Sequence, residues 1–290
     1  MKLITWNTQW CCGLDGTVSP QRIVDGARAI ADFDVLCLQE VAQGFDGLPG
    51  TPGDQPAQLA ALLPGFQCFF GAAVDEFRPD GRRQRFGNLV ATRLPVARVQ
   101  HHALPWPAEG GAPSMPRMCT VVTVLSPLLG AVRVMTTHLE YYSAPQRLAQ
   151  ARALGALHDE ACALAAAPPP PGDDGSPFQP KRHTPHAVLC GDFNAVASDA
   201  AIAAIESPSQ GINAAHGFRN AWSLVRGSAP HAPTFRLFDT TYGDDPMACD
   251  FVFVSAGLAA RVRKVEVDLH TRASDHQPVF VEFGEASVKP

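Results

Sequence analysis

Short apolar runs of strand length recur along this chain, and several end on a side chain that a buried strand does not ordinarily carry. Asn7 closes the first run, and Gln39-Glu40 closes Val35-Leu36-Cys37-Leu38. Thr137-His138 ends the run from Val132, and Asp192 and Asn194 follow Val188-Leu189-Cys190-Gly191. Asp250 opens Phe251-Val252-Phe253-Val254, and Ser274-Asp275-His276 precedes Pro278-Val279-Phe280-Val281. A carboxylate attached to a buried strand is unfavourable unless it is paired, hydrogen-bonded or bound to a metal. One such end is an ordinary cap; the repeated set predicts a shared polar cleft at one edge of the sheets.

The pattern predicts strands over 2–6, 34–38, 66–70, 88–92, 96–101, 118–125, 132–137, 186–190, 251–254, 261–268 and 278–283. The runs 88–92 and 96–101 read as adjacent strands separated by Leu94-Pro95. Helices are expected over 20–31, with Ser19 as N-cap and Pro20 at the first helical position, and over 55–63 and 199–205. The longest helix opens at Ser143-Ala144-Pro145 and carries the stripe Leu148, Ala151, Leu154, Leu157, Ala161 and Leu164. Pro168-Pro169-Pro170-Pro171 ends it, because proline lacks the N–H donor. Residues 168–185 then read as a mobile surface insertion within a single domain spanning 1–290. Many strands and few helices predict an α/β (α+β) fold of two packed sheets covered by helices, not a Rossmann-type sheet.

Composition narrows the function. Charged residues are 18% and apolar ones 46%, a globular balance. A formal net charge of −5 argues against gripping long nucleic-acid duplexes through charge. The 8 cysteines form no C-x-x-C pair and several lie inside apolar runs, so they read as reduced core residues of a cytoplasmic protein. No signal peptide or membrane span is expected. At the strand ends, Glu40, Asp192, Asp275 and Asn7 offer oxygen ligands of the kind Mg²⁺ or Mn²⁺ prefers. His138 and His276 are suited to moving protons or stabilising charge on phosphoryl oxygens, and Asp250 to orienting His276.

These segments resemble a known family. Thr5-Trp6-Asn7, Leu38-Gln39-Glu40-Val41, Thr137-His138-Leu139, Gly191-Asp192-Phe193-Asn194, Asp250-Phe251-Val252-Phe253 and Ser274-Asp275-His276 are similar, in order, to the signatures of the endonuclease/exonuclease/phosphatase superfamily. Gly87-Asn88-Leu89-Val90-Ala91-Thr92-Arg93-Leu94-Pro95-Val96 is similar to one of its strand pairs. The resemblance implies a DNase-I-like four-layer αββα sandwich with two mixed β-sheets, cleaving phosphoesters with a divalent metal. It makes Glu40 the principal metal ligand, with Asn7 and Asp275 near the ion. Asp192 would position or deprotonate water, with Asn194 beside it holding the phosphate, and His276, paired with Asp250, would bind the scissile phosphate together with His138. Thr137-His138-Leu139-Glu140 departs from the AP-endonuclease pattern and looks more like the His-containing branches, and Ala248-Cys249-Asp250 replaces an Arg-Ile-Asp element.

Other residues are read more plainly. Arg117 touches phosphate or makes a surface ion pair, and Tyr141 and Tyr142 stack on substrate or pack at the helix entry. Asn7 contacts the active site or holds a turn. Arg147 and Gln150 clamp loop backbone, and His101-His102 and Lys181-Arg182-His183 are solvated loop charges. The expected function is phosphodiester hydrolysis, with nucleic acid as the first substrate class. The alternatives are a phosphomonoesterase, a phospholipid or inositol-phosphate hydrolase, and a non-catalytic phosphate-binding module.

Overall fold

A computed structural model describes residues 1–168, 170, 172, 175–178, 183–207 and 217–286. Of the expected insertion over 168–185, residues 169, 171, 173–174 and 179–182 lie outside these. The strands and helices, in chain order, are β1 (Lys2–Asn7), α1 (Pro20–Ile30), β2 (Val35–Gln43), α2 (Gln55–Leu62), β3 (Gln67–Phe77), β4 (Arg83–Thr92) and β5 (Val96–Ala103). There follow β6 (Met118–Ser126), β7 (Gly130–His138), α3 (Ala144–Ala166), β8 (Ala187–Asp192), α4 (Ala200–Glu206) and β9 (Phe218–Asn220). The chain ends through α5 (Ala221–Arg226), β10 (Asp250–Ser255), α6 (Ala256–Ala259), β11 (Val262–Val267) and β12 (Val279–Phe283).

The strands form two 6-stranded mixed sheets, ordered β11-β12-β1-β2-β4-β3 and β5-β6-β7-β8-β10-β9. Their facing surfaces enclose a Val-rich core that includes Val35, Val90, Val122, Val134, Val188 and Val281. Such stiff β-branched side chains suit two pleated faces packed together. On the outer face of the first sheet, Ile23 and Val24 of α1 and Leu59 of α2 pack with Ile4, Leu36 and Leu89. On the outer face of the second, Leu154 of α3 and Ile202 of α4 pack with Phe193, Phe251 and Phe253. The result is a DNase-I-like αββα sandwich. Ser19 Oγ caps α1 by accepting from Arg22 N, and Ser143 caps α3 by accepting from Gln146 N.

Three expectations are corrected. The runs around Leu94-Pro95 are not neighbours: β4 lies in the first sheet and β5 in the second, so this short link carries the chain between layers. The stripe on α3 is half right. Ala151 and Leu154 are buried, but the helix's other buried residues are Gln146, Gln150, His158 and Cys162, and Leu164 is 41% exposed. His101 and His102 belong to β5, and His102 is half-buried rather than solvated.

All 8 cysteines are free, and all but Cys68 are buried. Among the described residues, no helix is long and apolar enough to cross a membrane.

Candidate active site

Strand register brings the polar ends together. In the second sheet, β7 runs parallel to β8 and β10 antiparallel to it, so Asp192 sits between His138 and Asp250. In the first sheet, β1 runs parallel to β2 with Asn7 opposite Gln39, and β12 pairs with β1 from the other side. The segment Ser274-Asp275-His276 therefore enters beside Asn7, and Ser274 Oγ donates to Asn7 O at 2.8 Å.

Two backbone irregularities aim the side chains. The β2–β4 register shifts between Leu38 and Val41, and within this bulge Glu40 adopts a left-handed φ of 58°. That conformation is uncommon for a residue with a Cβ and concentrates where function fixes a side chain. Gly191 has φ 139°, and a Cβ there would lie 1.9 Å from Thr137 O. Only glycine lets β7 and β8 approach closely enough to set Asp192 against His138.

Asn7 Nδ2 donates to Glu40 Oε1 and to Asp192 Oδ2, both at 3.0 Å, thereby linking the two sheets. His276 Nδ1 lies 2.8 Å from Asp250 Oδ2, and its Nε2 lies 3.7 Å from Asp192 Oδ2. His138 Nε2 lies 3.4 Å from the same Asp192 oxygen. Asn194 Nδ2 donates to His138 Nε2 at 2.9 Å, which leaves the proton of a neutral His138 on Nδ1, facing Glu40 Oε1 at 3.9 Å. Asn194 N donates to Asp192 Oδ1 at 2.8 Å.

Burial sets the charges. It pushes the Glu40 carboxyl up to about 7, with repulsion from Asp275 adding to it and donation from Asn7 opposing it. Burial also raises Asp192 and Asp275, in each case against the attraction of His276. For His276 burial acts downward, but Asp250 and Asp192 outweigh it and hold the imidazole well above its ordinary value. His138 is driven well below by burial, then by Arg117 and His276, so it is neutral. The site thus pairs one charged imidazole with one neutral imidazole around a single carboxylate.

The donor set fits a hard cation. Glu40, Asp192 and Asp275 line one cleft, and burial destabilises all three as anions, which a divalent ion would relieve. Asp192, Cys249, Asp250 and His276 also place ligand atoms within 4.8 Å of one another. There, however, Asp250 Oδ2 and His276 Nδ1 already pair, leaving only Asp250 Oδ1 without a partner, and burial raises the Cys249 thiol so that it stays protonated.

The cleft has a volume of ≈ 240 Å³. Asn7 and Asp250 stand behind its wall. Arg117 lines it, buried at 6% exposure, with Nε donating to Glu140 Oε2 at 3.2 Å and Nη1 without a partner. Arg117 is therefore not a surface ion pair. Glu140 Oε1 accepts from Tyr142 N at 2.9 Å, and Arg147 Nη1 donates to Glu140 O and Tyr141 O, fixing the tyrosine loop. Tyr141 and Tyr142 are exposed at the rim, with ring centroids 4.9 Å apart, rather than packed at the helix entry.

Several residues here escaped sequence reasoning. Phe235 stacks on His276 at 4.3 Å and 21°, and Tyr242 stands 6.3 Å from Tyr141. Trp10 also lines the cleft, and Trp6 Nε1 donates to His276 O at 2.9 Å. Phe235 and Tyr242 lie in a segment without strand or helix periodicity, so no pattern singles them out. Trp6 was visible only as part of its motif.

Two stacked mixed sheets with an acidic–imidazole cleft on their shared edge define a DNase-I-like sandwich. The chain belongs to the endonuclease/exonuclease/phosphatase family, whose model matches residues 4–276. Members of that family are hydrolases of phosphoester bonds and generally depend on a divalent metal. No curated protein matches the sequence. Among solved structures, an endonuclease/exonuclease/phosphatase from Beutenbergia cavernae DSM 12333 is 26% identical, with TM-score 0.68, covering 100% of this chain and 73% of that one. The mannosyl-6-phosphatase Bt3783 of Bacteroides thetaiotaomicron is 18% identical, with TM-score 0.65, covering 98% and 99%. The human Nocturnin catalytic domain, solved with a bound sulfate anion, is 18% identical, with TM-score 0.60, covering 98% and 93%.

Proposed function

We propose that this chain is a divalent-metal-dependent phosphodiesterase that hydrolyses nucleic acid by in-line attack of water. The observation that carries the chemistry is Asp192 Oδ2, 3.4 Å from His138 Nε2 and 3.7 Å from His276 Nε2. A carboxylate whose proton affinity is raised by burial suits acceptance of the water's proton near neutrality. His276, held charged with Nδ1–H donated to Asp250, presents Nε2–H to a phosphoryl oxygen. Asn194 Nδ2, donating to His138 Nε2 and Leu139 O, fixes the tautomer of neutral His138, whose Nδ1–H faces the phosphate from the other side, and the free Nη1 of Arg117 is placed to join it. Glu40 is the principal metal residue, Asp275 lies beside it, and Asn7 fixes Glu40 Oε1. Mg²⁺ or Mn²⁺ held there would neutralise phosphoryl charge and acidify water.

The rim supports the choice of substrate. Tyr142 is 56% and Tyr242 50% exposed beside the cleft, and such rings stack on unpaired bases. A second reading, phosphomonoesterase, draws on the small cleft and on the similarity to a mannosyl-6-phosphatase.

A panel of bis-nitrophenyl phosphate, nitrophenyl phosphate, single-stranded DNA, RNA and plasmid, with Mg²⁺ or Mn²⁺ and with EDTA, tests both readings. Metal-dependent turnover of the diesters and single strands is expected. Turnover of the monoester alone would overturn the nuclease reading, and no turnover at all would favour a binding module.

A further inference from the structure

The outer face of the second sheet is built in two ways. Under the first half of α3 it is apolar, with Phe193 and Phe253 against Leu154. Under the second half polar side chains share it with Val121 and Met135. Arg98, Gln100 and His102 alternate along β5 and so share a face, joined by Thr123 of β6 and Arg133 of β7. A sheet face covered by a helix is normally apolar. Here α3 instead lifts Leu157, Ala161 and Leu164 over a cavity of ≈ 260 Å³. This is where the apolar stripe of α3 goes: its second half roofs a cavity, with Leu157 also packed at the edge of the core.

Among the described residues, two guanidiniums, those of Arg98 and Arg133, line this cavity with one carboxylate, that of Glu160. Arg133 is buried at 6% exposure, and its partners are Thr184 O at 3.1 Å, His158 Nδ1 at 2.7 Å and Met135 Sδ at 3.6 Å. Arg98 Nη1 faces His183 Nδ1 at 3.4 Å. Glu160 lines the cavity, but among the described residues no carboxylate makes an ion pair with either guanidinium. A buried cation without a counter-charge is strongly unfavourable. Burial lowers the proton affinity of His183, Arg98 and Arg133 lower it further, and Glu160 opposes them.

We propose that this cavity binds a small phosphate-bearing anion, with Arg98, Arg133 and His183 on the phosphate and Leu157 and Leu164 against its carbon body. Guanidinium geometry matches phosphate, and the apolar roof matches a compact organic group. The site is distinct from the catalytic cleft. Arg133 lies near the start of β7 and His138 at its end, roughly 17 Å apart at strand rise. The inference does not depend on the substrate assigned to that cleft.

The test uses metal-free protein in EDTA and two probes, inorganic phosphate and phenylphosphonate, which carries a ring and is not hydrolysed. Imidazole NMR signals of His102 and His183 are expected to shift with each probe. Phenylphosphonate is expected to bind about tenfold more tightly than phosphate. Arg98→Ala should weaken binding by about tenfold or more, while Asn194→Ala, in the catalytic cleft, leaves the shift of His102 and His183 in place. Far-UV circular dichroism and a cooperative thermal transition report that Arg98→Ala is folded; should it not fold, His183→Gln, read at His102, carries the same test. Unmoved His102 and His183 signals at millimolar phenylphosphonate, or unchanged binding in the folded variant, would overturn the proposal.

Discussion

Glu40 combines a left-handed backbone with a carboxyl that burial lifts from 4.5 to about 7. Its proton is bound more tightly in the folded chain than in the unfolded one. That contribution is present below pH 4.5 and is lost as pH rises through about 7. The size of the shift corresponds to roughly 3 kcal/mol. Glu40→Gln should therefore raise Tm at pH 8 in EDTA while removing metal-dependent turnover; an unchanged or lower Tm would show that the carboxylate is not destabilised. At His276 the expectation reverses, because Asp250 and Asp192 hold the ring charged. Asp250→Asn should lower kcat by roughly 100-fold or more through loss of that orientation. Combining it with His276→Ala should add little beyond the single changes, as measured in a double-mutant cycle. Most of these residues were legible because a polar group ending an apolar run is chemically out of place. Phe235, Tyr242 and Trp10 were not, since an aromatic residue in a loop looks the same whether it packs or lines a cleft.

At the level of strands and helices, long regular runs announced themselves and short ones did not. β1, β2, β7, β8 and β12 are apolar stretches buried on both faces, readable from composition. β9, with 3 residues, and α6, with 4, are too short to show any period. The link at Leu94-Pro95 looked like a turn between neighbours because sequence separation does not reveal which sheet receives a strand. Gly191 is where element and site meet. Gly191→Ala would press a Cβ onto Thr137 O in a conformation alanine avoids, forcing β7 and β8 apart. A loss of about 2–4 kcal/mol in urea unfolding is expected, with turnover lost even in the fraction that remains folded. A midpoint equal to that of the unaltered protein would contradict this account. Leu154→Ala, remote from the cleft, should cost a similar 2–5 kcal/mol yet leave KM unchanged.

For the whole molecule, the cleft is assembled from both sheets, and Asn7 bonds across them to Asp192. Divalent metal should therefore stabilise the entire fold: Mg²⁺ or Mn²⁺ at 100 times its Kd adds about 2.7 kcal/mol. Because the carboxyls must shed protons to bind it, the Tm gain should grow as pH rises from 6 to 8. A gain independent of pH would place the ion elsewhere. Two packed sheets covered by helices were legible from the strand pattern, and the αββα class from the family resemblance. Substrate identity was not, because it resides in rim loops whose spacing carries no pattern.

β12 lies between β11 and β1, so the first sheet is completed by the last strand of the fold. Asp275 and His276 arrive on the segment just ahead of it. A variant cut before Ser274 lacks both residues and the strand that pairs with β1, so it is expected to show no metal-dependent turnover even where the rest of the two sheets forms.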